Sequence, residues 1–75
     1  MDSETRVPGL APARNRSGLT QVALAEMLGV HPITVARWET GERAPDIYTL
    51  KRLAAALNTT VGALLDEPSP AEGAV

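Results

Sequence analysis

Two side chains four positions apart, Ile33 and Arg37, carry the most specific chemistry in this chain. On a helix they lie one turn apart and share a face. Arginine can donate to guanine O6 and N7 together, and a branched apolar group can touch a thymine methyl. At about 100° per residue, Val35 and Trp38 fall on the opposite side with Glu39 beside them, while Pro32 and Thr34 lie on the flanks. Trp38 is the only tryptophan in the sequence. The expectation is that Val35 and Trp38 anchor this helix while Ile33, Ala36 and Arg37 look outward.

Other chemistry is poorly provided for. The 75 residues include no cysteine and one histidine, His31, so thiolate ligands and the usual zinc sets are missing. Ser17 and Ser69 stand in weak contexts for a nucleophile, no glycine-rich phosphate loop occurs, and no carboxylate pair suits acid–base work. The sequence therefore predicts neither enzyme nor cofactor nor metal.

The elements that must position Ile33 and Arg37 are short. Gln21 to Leu28 reads as a helix with Thr20 as N-cap, its Leu24, Ala25 and Leu28 on one face and Val22, Ala23 and Glu26 on the other. Gly29 stops it, and Val30 and His31 complete a three-residue turn. Pro32 suits the first position of the next helix, which runs to about Glu39, with Gly41 as terminator. Two short helices joined by so brief a glycine-bearing turn form a helix-turn-helix, here spanning Thr20 to Glu39.

Around it the pattern predicts three more helices. One covers Leu10 to Ser17, where either Pro8 or Pro12 can occupy the first turn and a deeper Pro12 would kink it. Asp46 caps another over Ile47 to Leu57, with Ile47, Leu50, Leu53, Ala54 and Leu57 on one apolar arc. Thr60 caps the last, whose Val61, Leu64 and Leu65 fit either the core or a dimer interface. The fold class expected is all-α, five short helices. Residues 1–8 read as a flexible arm, 9–65 as the domain, and 66–75 as an acidic disordered tail.

Charge follows the same division. All seven basic residues lie between Thr5 and Leu65 against four acids, a net of +3, whereas the other five acids occupy the two ends. The overall −2 thus conceals a mildly basic body compatible with a nucleic-acid partner. Asp2, Glu4 and Arg6 stand where a signal peptide would need an apolar run, and no stretch is long enough for a membrane span, so a cytoplasmic location is expected.

The run LTQVALAEMLGVHPITVARWETGERAPD, continued by LKRLAAALNTTVGALL, resembles the lambda-repressor-like, Xre-type helix-turn-helix family. The markers are LTQ at the start of the second helix, LA…LGV before the turn, WE-x-G-x-R-x-P after the third, and LxxLAxAL in the fourth. The resemblance covers roughly residues 10–65. It implies a five-helix domain with the third helix in the DNA major groove, acting as a transcriptional regulator, often a repressor, and usually as a dimer on a palindromic operator. By position it implies base contact for Pro32, Ile33 and Arg37, and phosphate contact for Thr20, Gln21, His31, Thr34 and Arg43. It also implies an Arg14–Glu39 pair tying the first helix to the third. The chain departs from the family pattern at Val22 and Ala23, where glutamates are frequent, at Pro32 and Ile33, which replace polar readers, and at Pro12 in the first helix.

The mechanism expected is promoter occlusion by a dimer whose two reading helices enter successive major grooves, about 34 Å apart. An alternative class is an interaction module, such as the antitoxin half of a toxin–antitoxin pair, whose acidic tail would meet a basic partner and which would also bind its own DNA.

Overall fold

The computed structural model describes residues 6–66. It contains five helices: α1 (Leu10–Arg16), α2 (Gln21–Leu28), α3 (Pro32–Thr40), α4 (Ile47–Ala56) and α5 (Val61–Leu65). No strand occurs among the described residues. The boundaries follow from local chemistry. The hydroxyls of Thr20 and Thr60 accept from the N–H groups of Ala23 and Ala63, each at 3.0 Å. The Asp46 carboxylate accepts from Thr49 N at 2.8 Å. Each satisfies one donor of a helical first turn, which has no partner within its own helix. Gly29 ends α2 at φ +72°, a left-handed conformation that lets the chain reverse into α3 at little steric cost. Pro12 is the third residue of α1, still within the first turn, so its missing N–H removes no helical bond.

Small differences at the helix ends have simple causes. Ser17, expected inside α1, caps it instead, and α3 extends one residue further, to Thr40. α4 stops at Ala56 because Asn58 takes a positive φ of 56°, a conformation asparagine tolerates better than most residues.

α2 packs against α3 and α4, α1 against α3 and α5, and α4 against α5. The centre they enclose is apolar: Leu10, Leu24, Val35, Leu53 and Leu64 are fully buried. Leu64 is therefore core and is not available for a dimer interface; Val61 packs half-buried against the same core, and of the three residues only Leu65 remains exposed. Ile47, expected on the inward arc of α4, is 60% exposed. Helix angle aligns Ile47 with Leu50, yet only Leu50 is covered.

The arm expected over residues 1–8 also ends sooner. Val7 is buried in the core, and Gly9 N donates to Leu64 O at 2.9 Å. A Cβ at Gly9 would run into the Ala63 carbonyl, so only glycine permits α1 to start this close to α5. Residues 1–5, and the acidic tail beyond Asp66, lie outside the described residues. Among the described residues no helix is long and apolar enough to cross a membrane.

Candidate nucleic-acid interface

α3 presents two contrasting faces. Val35 is fully buried and Trp38 is 6% exposed, while Ile33 is 47% exposed. Arg37 is exposed as well. The division expected from helical angles is adopted at Ile33, Val35, Arg37 and Trp38, while Ala36, expected outward, is half-buried. The division exists because the α2–α3 turn is brief and because Trp38 holds the helix to the body.

The start of α3 is held by its own side chains. His31 Nδ1 accepts from Ile33 N at 3.3 Å, so this exposed histidine caps the helix and its Nε2 is left for another partner. Pro32 follows at the first helical position, half-buried. Thr34, also half-buried, lines a hollow of about 270 Å³ with Arg37, Trp38, Arg43 and Ala44. Three groups expected to meet nucleic acid, Thr34, Arg37 and Arg43, are thus brought to one concavity beside the exposed face of α3. The loop after α3 makes this happen: Arg43 N donates to the Arg37 carbonyl at 3.1 Å and folds the chain back on the last helical turn.

In the same last turn of α3, Glu39 belongs to a polar cluster that joins three helices. Arg14 Nε donates to Glu39 Oε2 at 2.5 Å and Arg14 Nη2 to Oε1 at 3.2 Å. Arg14 Nη1 donates to the Leu19 carbonyl at 2.8 Å. The pair implied by the resemblance is present, with side-chain exposures of 14% and 8%. Gln21 joins it: its Nε2 donates to Glu39 Oε1 at 2.9 Å. The Gln21 amide nitrogen donates one of its two hydrogens to a carboxylate, which leaves its second N–H and the backbone N–H for a phosphate. Thr20, next to it, is exposed. Its oxygen accepts the capping bond, and its O–H remains a donor for an outside acceptor.

Four further contacts were not foreseen. Glu42 lies against Arg37, Nε to Oε2 at 3.8 Å, on the exposed side. The Arg6 guanidinium packs against Gly41, just past the end of α3. Arg52 Nη2 donates to the Leu28 carbonyl at 3.0 Å, bracing the end of α2, and its guanidinium lies over the Tyr48 ring at 5.9 Å. Only the last had a sequence signal, the i, i+4 spacing of Tyr48 and Arg52.

Residues 12–64 match the family model described as Helix-turn-helix. The chain belongs to the lambda-repressor-like, Xre-type helix-turn-helix family. Among solved structures it is similar to hydroxypropylphosphonic acid epoxidase from S. wedmorenis, with a TM-score of 0.75 and 36% identity over 85% of this chain and 36% of that one. Apo-HppE gives a TM-score of 0.74 and 37% identity over 83% of this chain and 37% of that one. Iron(II) HppE in complex with substrate gives 0.73 and 39% identity over 77% of this chain and 34% of that one. The helix-turn-helix chain thus spans about a third of the length of these chains. No curated protein matches it.

Proposed function

We propose that this chain is a sequence-specific, double-stranded-DNA-binding transcriptional regulator, cytoplasmic, acting as a repressor by occluding a promoter. The observation that carries it is the outward placement of Ile33 and Arg37 on α3, beside a hollow lined by Thr34 and Arg43. α3 enters the major groove. Arg37 and Ile33 meet base edges, and Pro32 packs against them at the helix start. Thr34, Arg43, His31, Thr20 and Gln21 hold phosphates and fix the register. A homodimer on a palindromic operator places two such helices about 34 Å apart. Leu65 is the large apolar residue of α5 left exposed to contribute to that pairing.

Fluorescence anisotropy with a labelled duplex from the flanking DNA tests this directly. Binding should weaken linearly in log–log terms as salt rises, because phosphate contacts release counterions. Absence of binding to any duplex at low salt would end the proposal.

A second class, an interaction module such as an antitoxin, draws support from apolar side chains exposed away from α3: Ile47, Tyr48 and Leu65. A pull-down that returns a small basic protein, lost on replacing Ile47 and Tyr48, would favour it. The likeness to the epoxidase extends over about a third of that enzyme's chain. Among the described residues no group of three His, Cys, Asp or Glu is placed to hold a metal ion.

A further inference from the structure

We infer that Glu42 is a positioning residue for Arg37, and through it a determinant of base-pair selectivity; this rests on the DNA-binding function proposed above. Arg37 Nε and Glu42 Oε2 stand 3.8 Å apart, with side-chain exposures of 43% and 63%. That separation makes an ion pair without a hydrogen bond, in contact with solvent. The backbone keeps the two together. Thr40 Oγ1 donates to the Arg37 carbonyl at 3.1 Å and accepts from Glu42 N at 3.3 Å. Arg43 N donates to the same carbonyl at 3.1 Å. These three bonds close the segment after α3 onto its last turn, so Glu42 begins from a fixed point beside Arg37.

The Arg37 atom nearest the carboxylate is Nε, on the side-chain stem, and the guanidinium carries its Nη donors beyond it. Two such donors are what guanine O6 and N7 require. The carboxylate also opposes a competing use of Arg37. Arg37 and Arg43 line one hollow, and without a neighbouring negative charge both would turn to phosphate, a contact that carries no sequence information. Glu42 weakens that attraction and holds Arg37 to the base edge.

The test uses the full chain and a duplex selected by the wild type from a random pool. Affinities of wild type and Glu42→Gln are compared on that duplex, on random duplex, and on duplexes altered at the base pair where Arg37→Ala loses discrimination. Glu42→Gln should bind random duplex about two- to fivefold more tightly and lose discrimination at that base pair by a similar factor, the scale of an exposed ion pair. In the free protein, the Arg37 Nε–H resonance should shift in Glu42→Gln. Equal tightening on every duplex would show simple repulsion and overturn the positioning role. So would unchanged discrimination, or an unmoved Arg37 resonance, although DNA binding by the wild type would then stand. A wild type that binds no duplex removes the DNA-binding function and this role together.

Discussion

Arg14 reaches across from α1 and grips both carboxylate oxygens of Glu39 on α3. Gln21 of α2 adds a third donor, so one carboxylate gathers three helices at the end of α3 opposite the turn. Removing one member leaves the other charge largely out of water without a partner. Glu39→Ala should lower stability by about 3 kcal/mol, the low end for a buried pair because a little solvent reaches both groups. Urea denaturation measures this directly. Replacing Arg14 and Glu39 together by methionine should recover most of the loss, since neither charge is then stranded. A double replacement as damaging as the single one would show that the pair acts through specific geometry.

The two faces of α3 should separate cleanly on mutation. Trp38→Ala empties a buried site and should lower stability by about 3–5 kcal/mol. That approaches the whole stability of a 75-residue chain, about 4–11 kcal/mol, so circular dichroism should show extensive unfolding. Ile33→Ala, on the exposed face, should change stability by no more than about 0.5 kcal/mol while weakening DNA binding. A comparable loss of stability at both positions would contradict the orientation of α3.

The arginines at the hollow should differ in kind. Arg37→Ala should cost about 1–3 kcal/mol of binding and relax preference at one base pair. Arg43→Ala should weaken specific and random duplex alike and reduce the salt slope by about one. An unchanged slope would place Arg43 outside the interface.

The cap of α4 should be visible in the acid limb of stability. The Thr49 backbone N–H, helped by the Thr49 hydroxyl, holds the Asp46 carboxyl below its ordinary 3.8. A carboxyl depressed in the folded state stabilises fully above its unfolded value, and that contribution is lost as pH falls through the folded value. Stability should therefore decline below about pH 4 in the wild type. Asp46→Asn, which caps without titrating, should flatten that decline while leaving neutral-pH stability nearly unchanged. An identical acid limb in both proteins would show that other carboxylates dominate it.

Much of this arrangement is legible in the sequence wherever local chemistry decides. Thr20, Asp46 and Thr60 cap the helices expected of them, and Gly29 turns the chain between α2 and α3, because each device works within a few residues of itself. The orientation of α3 follows from the angles between Ile33, Val35, Arg37 and Trp38. What escapes such reading depends on partners distant in sequence. Ile47 has the right angle for burial yet lies exposed, and Val7, in a polar stretch, is buried by helices that arrive later in the chain. Leu64 and Leu65 are adjacent and similar, yet one fills the core and the other meets solvent. At the interface, Gln21 has the right position for phosphate, but its amide nitrogen turns to Glu39, 18 residues away. Glu42 draws no notice in the sequence because its effect depends on a loop closing onto Arg37.

The most direct measurement is an amide and side-chain NMR titration of the protein with duplex DNA. The largest shifts should fall on Ile33, Thr34 and Arg37, with Thr20, His31 and Arg43 at the margins, while Val35, Leu53 and Leu64 stay still. Shifts concentrated on Ile47, Tyr48 and Leu65, with α3 unmoved, would contradict the assignment of α3 as the reading element.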